Sequence, residues 1–482
     1  MAVERRAKEP RHPSKSRSQS EQYSETIGRS NYGSHPIWWR VSPEVDSSSG
    51  DNATECERSG RATTKRGDVS TESLLEAILS MENVRQAYRA VKRNQGKPGV
   101  DGITTDGIAE HLRQHWPTVR AKLLAGTYRP APVRSVRIAK PDGGTRTLGI
   151  PTVQDRIIQQ AIHQQLSPIA EPGFSDSSYG YRPGRSAQDA VRRAQGYVEA
   201  GKRWVVDIDI SAFFDHVNHD ILMHRVSQQV RDKRVLRLIG AYLRADIQQE
   251  GQVHKRHQGT PQGGPLSPLL ANIYLDPLDK ELERRGVSFV RYADDVAIYV
   301  GSQRSAERVL ESTTRWIEKH LKLQVNRTKS GAGPTGGSTL LGFRIREDGR
   351  IAVAAKSLER YKQRVRELWN AQQGRSGWEV IQRWRAYVRG WWNYFAIANS
   401  RLVALSAWTR RHIRKWFWHR WDNRQGRITR LRGLGLTSTQ LRHVSYHAGA
   451  WRAARHPGMH RALSNRRLRS YRLFTPQDLA AA

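Results

Sequence analysis

Hydrophobic positions along this chain recur at two periods. Spacing typical of one face of an α-helix occupies three intervals, 71–91, 107–125 and 153–169, and Thr71 or Ser73 can cap the first helix. Stretches rich in β-forming residues predict strands in four places, 133–139, 204–210, 287–300 and 340–354. Because helical patterns lie between these strands, we predict an α+β fold and not a Rossmann sheet.

An acidic turn lies inside the third of these strand intervals. The sequence Tyr292-Ala293-Asp294-Asp295 stands between the apolar stretches 287–290 and 296–300, which predicts a β-hairpin with two adjacent carboxylates at its tip. Adjacent carboxylates repel each other unless a cation lies nearby. Mg²⁺ is often held by one or two carboxylates together with substrate phosphates. A solvated acidic turn is the alternative interpretation, since Asp is common in turns.

A second acidic strand favours the metal interpretation. Residues 204–210 alternate apolar and acidic side chains, which places Asp207 and Asp209 on one face of a strand. Phosphoryl transfer with two metal ions requires carboxylates from separate segments to converge. An acidic strand end beside an acidic hairpin tip would provide that arrangement.

Further motifs occur in a fixed order along the chain. Phe213-Phe214 behind Asp209, followed by the acidic turn, resembles the palm motifs of reverse transcriptases. Five other segments resemble the fingers motif, the next block, the nucleotide-pocket loop and the last two palm blocks, in the order Lys140–Thr152, Phe174–Arg185, Gly259–Pro268, Leu323–Ser330 and Leu340–Phe343. Over roughly residues 75–435 the combination is similar to bacterial group II intron reverse transcriptase/maturases.

This resemblance implies RNA-directed DNA synthesis, in which a primer 3′-hydroxyl attacks the α-phosphate of a dNTP with two Mg²⁺ ions, or Mn²⁺ in their place. It assigns Asp209, Asp294 and Asp295 to catalysis and metal binding, and the backbone carbonyl of Ile210 to one coordination sphere. The family's catalytic acid matches Asp209 and not Asp207. We therefore expect Asp207 to pair with a basic neighbour.

Cations are predicted to hold the triphosphate. Lys140 and Arg146 flank a Pro-Asp-Gly-Gly turn, and a hairpin with a cation on each arm can clamp phosphates. The resemblance gives both residues that task. Lys329, near Asn326, is expected to steady the phosphates. A basic surface loop is the alternative for the first pair.

Other residues are predicted to shape the nucleotide pocket. Phe213 or Phe214 should act as a steric gate against the 2′-hydroxyl, while the other ring packs in the core. Gln262 lies in a Gly-rich loop whose backbone can approach the incoming nucleotide. Ala293 is small enough to leave room for the primer terminus.

Charge points to a nucleic-acid partner. The 482 residues carry a net charge of +36, so binding to a polyanion should be strong and salt-sensitive. No apolar run approaches the ~18 residues of a spanning helix, which disfavours a membrane partner. The single cysteine, Cys56, excludes an intrachain disulfide framework and a Cys-based zinc cluster. With no visible signal peptide, we expect a bacterial cytoplasmic location.

Basic and aromatic residues are concentrated near the C-terminus. Residues 356–474 hold 27 Lys/Arg against 4 Asp/Glu, and 10 of the 15 Trp lie between Trp369 and Trp451. Cations interleaved with aromatic rings suit RNA, although we expect most of these Trp to form a helical core. The residues predicted to bind RNA are Arg182 and Arg185 in the fingers and Arg383, Arg385, Arg389, Arg410, Arg411, Arg414 and Lys415 near the C-terminus. Tyr179, Tyr181, Arg182 and Arg185 are expected to line the template track, with structural packing of the fingers as the alternative for all four.

These observations predict a right-hand polymerase in four parts. They are a disordered extension at 1–70, fingers and palm at 71–350, an all-α basic thumb/maturase domain at 351–435, and a short basic tail at 436–482 that would be a DNA-binding remnant. No endonuclease signature is visible. The expected partners are group II intron RNA, an RNA template with a DNA primer or target, and dNTPs. A non-catalytic RNA-binding splicing factor and a domesticated reverse transcriptase in a defence system are the alternatives.

Overall fold

The computed structural model describes residues 73–139, 145–371, 374–398, 402–421, 423–445 and 449–481. The predicted disorder at 1–70 lies outside these residues, and so does Lys140 with its Pro-Asp-Gly-Gly turn. None of the helices in the described ranges is both long and apolar enough to cross a membrane.

Two helices open the described chain where one was predicted. They are α1 (Leu74–Ile78) and α2 (Met81–Arg93). Ser80 lies between them in an extended conformation, and its side chain accepts a hydrogen bond from the Asn83 backbone. The single-helix prediction was wrong because Ser80 starts a new helix, as a good N-cap residue does. The other two predicted helices are confirmed as α3 (Ile108–Leu124) and α4 (Val153–Ala170).

A four-stranded sheet lies in the fingers. Its strands are β1 (Val133–Ala139), β2 (Thr145–Ile150), β4 (Ile247–Gln249) and β5 (Gln252–His254), in the order β2-β1-β4-β5. Strand β1 was predicted, and β2 is the second arm of the hairpin expected around Lys140 and Arg146. Strands β4 and β5 were not predicted, because each has only three residues and their pairing depends on the neighbouring strand more than on a hydrophobic alternation.

A second four-stranded sheet forms the palm. It contains β3 (Trp204–Asp209), β6 (Ser288–Tyr292), β7 (Asp295–Val300) and β8 (Gly331–Pro334), in the antiparallel order β6-β7-β3-β8. The predicted hairpin over 287–300 is confirmed as β6 and β7. Strand β8 is rich in glycine and was not predicted.

Helices cover the palm sheet, and all but the first of them share one hydrophobic core with the fingers. They are α5 (Ala187–Glu199), α6 (Phe213–His216), α7 (His219–Gln229), α8 (Lys233–Leu243), α9 (Ser267–Arg284) and α10 (Gln303–Trp316), which continues into a π-helical turn at Ile317–Leu321. The predicted strand interval 340–354 is a separate hairpin of β9 (Phe343–Ile345) and β10 (Ile351–Val353).

The chain is helical after β10. The thumb begins with α11 (Ala355–Leu368), α12 (Gly377–Phe395), α13 (Leu402–Arg420) and α14 (Arg424–Gly433). The expectation that most tryptophans are core residues is confirmed for the five that are almost fully buried, namely Trp369, Trp384, Trp391, Trp416 and Trp418.

The segment after residue 435 packs on the thumb and is not a separate tail. It forms α15 (Ser438–Ser445), α16 (Ala450–Arg455), α17 (Pro457–Ala462), α18 (Asn465–Ser470) and α19 (Pro476–Ala480). The Trp384 indole donates to the Phe474 carbonyl at 3.0 Å. Two buried arginines of α13, Arg410 and Arg414, also bond to this segment. The predicted tail is therefore helical and folded against the thumb, and its leucines at 463, 468 and 473 are buried.

Candidate active site

The register of the palm sheet places two acidic residues opposite each other. Asp209 at the end of β3 is the direct cross-strand partner of Asp295 at the start of β7. Only Ala293 and Asp294 connect β6 to β7, and Ala293 has a left-handed φ of 60°. Like charges directly opposite on a sheet are destabilising. The backbone therefore gathers Asp209, Asp294 and Asp295 at one edge of the palm, where a cation would relieve their repulsion.

A buried arginine holds the acidic turn in place by hydrogen bonds. Arg291 is the residue before Tyr292, and its guanidinium donates to the Ala293 carbonyl at 2.9 Å and to the Asn272 side-chain oxygen at 3.0 Å. It also makes two hydrogen bonds to the Asp279 carboxylate, at 2.7 and 2.6 Å. Both charged side chains have 0% exposure. The turn is thereby tied to α9, which carries Asp279 and Asn272.

The fingers block Phe174–Arg185 reaches the same turn. A Cβ on Gly180 would lie 2.2 Å from the Ala293 nitrogen, so only glycine permits this approach. The Asn272 amide donates to the Gly180 carbonyl at 2.9 Å. The Tyr179 backbone donates to the Arg291 carbonyl at 2.8 Å. Fingers and palm therefore meet at the acidic turn.

The loop after Leu323 supports the end of β3. The Asn326 backbone donates to the Asp209 carbonyl at 2.8 Å, and the Asp209 backbone donates to the Ser330 hydroxyl at 2.9 Å. Ile210 forms a bridge with Val325. In that bridge the hydrogen bonds come from the residues that flank Ile210, so its carbonyl lies outside this pair of bonds.

The Asp207 carboxylate is partly buried and bonded to a neighbouring hydroxyl. The Ser338 hydroxyl donates to its carboxylate at 2.6 Å. Burial, opposed by this hydrogen bond and reinforced by the charge of Asp295, raises the pKa of Asp207 to about 6. The expected basic partner was wrong: among the described residues Asp207 has this hydroxyl and no ion pair.

The two adjacent phenylalanines differ in burial. Phe213 is 2% exposed and packs edge-on against Phe214 and Tyr274, with ring centroids 5.1 and 6.1 Å apart. Phe214 is half-buried. Phe213 is therefore the ring that packs in the core, and Phe214 is left as the candidate for the steric gate.

The Gly-rich loop lies against β2. A Cβ on Gly263, whose φ is 158°, would lie 2.3 Å from the Gly149 carbonyl oxygen. The Thr260 backbone donates to the Phe214 carbonyl at 2.7 Å. This contact brings half-buried Gln262, Phe214 and the strand that contains Arg146 to one side of the palm. The structure describes the Arg146 backbone in β2. Lys329 is exposed in the loop after Asn326.

The predicted RNA contact of Arg182 in the fingers is corrected by the burial of its side chain. Its side chain is 3% exposed, pairs with Glu171 at 2.8 Å and donates to the Ser178 carbonyl at 3.0 Å. It therefore braces the fingers. Arg185 is partly exposed, pairs with Asp176 at 2.6 Å and lies over the Tyr179 ring. Tyr181 is buried.

The prediction that Arg410 and Arg414 of the thumb bind RNA is corrected for the same reason, namely burial. Arg410 donates to Thr475 and Asp478 at 3.1 and 3.0 Å, and Arg414 donates to the Leu463 carbonyl at 3.1 Å. Both arginines are buried, so neither can reach RNA.

The other thumb cations that were predicted to bind RNA reach the surface. They are Arg383, paired with Glu379 at 2.9 Å, Lys415, over the Trp451 ring at 4.7 Å, and Arg385, Arg389 and Arg411.

The donor set at the palm edge fits a hard divalent cation. Carboxylate oxygens are its preferred ligands, and Mg²⁺ takes few of them when substrate phosphates complete the shell. Within the described ranges, no three His, Cys, Asp or Glu side chains form a closed metal cluster. The palm edge instead offers an open arrangement, which suits ions that arrive with a nucleotide.

Sequence reasoning missed the roles of Arg291, Asp279, Asn272 and Gly180 in holding the acidic turn. One signal was present. Arg291 is a charged residue within the apolar strand that precedes the turn. A charge at a buried strand position is expected to be paired.

Two family models match the chain. The model described as "Reverse transcriptase (RNA-dependent DNA polymerase)" matches residues 138–345, and the model described as "Group II intron, maturase-specific domain" matches residues 358–433. The first range contains the acidic turn and strands β2 to β8, which belong to the fingers sheet and the palm sheet. The second contains most of α11 and all of α12 to α14.

Parts of this chain are similar to other proteins and to a solved structure. Protein YkfC of Escherichia coli (strain K12) is 33% identical over 297 residues, which cover 53% of this chain and 78% of that protein. Group II intron-encoded protein LtrA of Lactococcus lactis subsp. cremoris is 37% identical over 240 residues, which cover 46% of this chain and 40% of LtrA. The solved structure "Partial Cas6-RT-Cas1--Cas2 complex" matches with a TM-score of 0.33 and 25% identity, over 51% of this chain and 42% of that one.

Proposed function

Because this chain belongs to the group II intron-encoded reverse transcriptase/maturases and is thus an RNA-directed DNA polymerase with a maturase domain, we propose that it copies its own intron RNA into DNA and stabilises that RNA for splicing. The proposed chemistry is nucleotidyl transfer with two metal ions. The proposed substrates are dNTPs, an RNA template and a DNA primer or target strand.

One observation carries the catalytic part of this proposal. Asp209 and Asp295 are cross-strand partners beside Asp294, and Arg291 fixes the turn between them. Two opposed carboxylates are unfavourable in a fold unless a bound cation offsets their repulsion. A cation-dependent reaction at this edge explains why a buried ion pair supports the turn.

Four groups would hold the metal ions, namely the carboxylates of Asp209, Asp294 and Asp295 and the carbonyl of Ile210. Bound there, two Mg²⁺ ions would lower the pKa of the primer hydroxyl and neutralise charge on the leaving pyrophosphate. The chain itself orients these oxygens through the sheet register and the Arg291 hydrogen bonds. Ala293 leaves space beside them for the primer terminus.

We assign the nucleotide pocket to the side of the palm where β2, the Gly-rich loop and α6 meet. Phe214 is the proposed steric gate, because it is half-buried while Phe213 is enclosed. Gln262 faces the incoming nucleotide in this proposal. Lys140 and Arg146 clamp the triphosphate, and Lys329 steadies it from the opposite loop.

The maturase part rests on the predicted thumb cations that are exposed or partly exposed. Arg383, Arg385, Arg389, Arg411 and Lys415 remain as proposed RNA contacts, with Arg185 in the fingers. Their charge would meet phosphates of folded intron RNA. With a single cysteine in the chain, we propose the bacterial cytoplasm as the site of the reaction.

Primer extension tests the catalytic proposal. The wild type, Asp294→Asn and the matched surface control Asp106→Asn are incubated with an RNA template, a DNA primer, dNTPs and Mg²⁺. We expect long cDNA from the wild type and the control. Asp294→Asn should lose at least ~10²-fold in rate, the scale of removing one electrostatic group from a transition state.

Mg²⁺ binding supplies a readout independent of activity. Mg²⁺ should raise the unfolding temperature of the wild type and Asp106→Asn in the presence of a dNTP, and should raise that of Asp294→Asn less. A folded wild type that binds RNA tightly without making cDNA would overturn the polymerase and favour a non-catalytic splicing factor.

A further inference from the structure

A positively charged cavity lies on the thumb, away from the acidic turn. Its volume is about 310 Å³. The residues that line it come from α12 and from the turn after α18, namely Gln382, Arg385, Ala386, Arg389 and Arg472. Arg472 lies beyond the range matched by the maturase-specific model, so the cavity exists only because the C-terminal segment packs on the thumb.

The charge of this cavity is not neutralised by the protein. Across the described ranges, Arg385, Arg389 and Arg472 form no ion pair with an acidic residue. The acid in the same helix, Glu379, is paired with Arg383 at 2.9 Å. Three guanidinium groups around one cavity repel each other. Their arrangement is favourable when an anion occupies the cavity.

Arg385 is held in place by the C-terminal segment. Its guanidinium donates to the Tyr471 carbonyl at 3.0 Å, and its Nε is buried without a hydrogen-bond partner. A buried donor without a partner costs free energy unless a ligand satisfies it. Arg472 has a left-handed φ of 57°, and its backbone donates to the Arg469 carbonyl at 2.8 Å. The Arg385 guanidinium and the Arg472 backbone are thus both held by hydrogen bonds at the cavity, whereas the side chains of Arg389 and Arg472 are exposed.

An exposed aromatic ring adjoins the cavity. Trp378, in the first turn of α12, is 67% exposed, and the Arg385 guanidinium lies 5.8 Å from its ring centroid. Tyr471, whose carbonyl accepts the Arg385 hydrogen bond, is 39% exposed. Five other thumb tryptophans are buried, so the exposure of Trp378 contrasts with the hydrophobic core beneath it.

We propose that Trp378 and the cavity of Arg385, Arg389 and Arg472 bind an unpaired RNA strand, with one base on the indole and its phosphate among the guanidinium groups. This rests on the proposed RNA-binding function. Aromatic rings can stack only on bases that are already unstacked, whereas duplex RNA presents mainly phosphates and 2′-hydroxyls. An aromatic ring beside three arginines thus favours a single strand over a duplex.

The test measures binding of a short unstructured RNA strand to the full-length protein, with excess primer–template present to occupy the polymerase cleft. Trp378→Ala should weaken this binding by about fivefold or more, as expected for loss of one base–aromatic stack. Trp378→Phe should retain most of the affinity. The same strand annealed to its complement should bind equally to all three proteins.

The arginines have a separate readout. In Arg389→Ala/Arg472→Ala, the slope of log K against log salt concentration should decrease by about 1.4, the value for two lost phosphate contacts on a single strand. The matched control is Arg304→Ala/Arg308→Ala, which removes two exposed cations from α10 in the palm. Its slope should be that of the wild type. Thermal unfolding verifies that each variant is folded.

Two results would overturn the inference. One is unchanged single-strand affinity in folded Trp378→Ala, and the other is an equal loss on the duplex. Failure of the wild type in primer extension would instead contradict the proposed polymerase function, so the two failures are distinguishable.

Discussion

Arg291 and Asp279 form a fully buried ion pair directly beneath the acidic turn, with an Nη2–Oδ2 distance of 2.6 Å. Removing one partner of such a pair leaves an uncompensated buried charge. The same arginine donates to the Ala293 carbonyl, so the pair also controls where the neighbouring carboxylates lie.

We predict that Arg291→Met lowers the free energy of unfolding by about 3–5 kcal/mol and that Asp279→Leu does the same. The double variant should be more stable than the sum of the two losses implies, because no charge is then left unpaired. Urea unfolding of all four proteins in a double-mutant cycle measures this coupling. Additive losses would contradict the buried pair, and Arg284→Met, which breaks an exposed pair, serves as the control.

Phe213 and Phe214 should separate stability from sugar selection. Phe213→Ala should cost about 3–5 kcal/mol in unfolding free energy, since its ring fills the core. Phe214→Val should instead weaken discrimination against ribonucleotides by on the order of 10- to 100-fold. Single-nucleotide incorporation of dNTP and rNTP measures kcat/KM for each. Unchanged discrimination in Phe214→Val would eliminate it as the gate.

The raised pKa of Asp207 makes stability depend on pH. In the folded protein, burial raises this pKa from its ordinary value of 3.8 to about 6. The folded state therefore binds the proton more tightly, and the free energy of unfolding falls as pH rises from about 4 to 6. Above pH 6 the full loss is about 2–3 kcal/mol.

Asp207→Asn should remove this part of the pH dependence while keeping an acceptor for the Ser338 hydroxyl. Urea unfolding in EDTA at about pH 4.5 and pH 7 compares the variant with the wild type and with the exposed control Asp220→Asn. The change in the free energy of unfolding between these two pH values should be smaller in Asp207→Asn, but not in Asp220→Asn, than in the wild type. An equal pH dependence in all three proteins would rule out a raised pKa at Asp207.

Arg410 and Arg389 should give opposite results. Arg410→Gln should destabilise the thumb by about 3–5 kcal/mol, because it leaves buried Asp478 unpaired. The salt dependence of its RNA binding should not change. Arg389→Gln should leave the unfolding midpoint unchanged and reduce the salt dependence, since its side chain is exposed. Loss of salt dependence in folded Arg410→Gln would show that the arginine reaches RNA after all.

Local patterns in the sequence determined much of this protein. The apolar stretches on either side of Asp294 and Asp295 predict the hairpin that the structure contains, and helices α3 and α4 follow from their spacing. The family follows from motifs in fixed order, since each motif is a short continuous segment. The high net charge predicts a polyanionic partner for the same reason: it is a sum over residues and needs no coordinates.

Only the tertiary structure decided which of several similar residues does which task. Arginines at 182, 389 and 410 are alike in sequence, yet burial removes the first and third from any surface. The register between β3 and β7 places Asp209 opposite Asp295, and a one-residue slip would turn one of them to the other face. Contacts between distant segments decide both results, because burial and register depend on what packs against a residue and not on its neighbours in the chain.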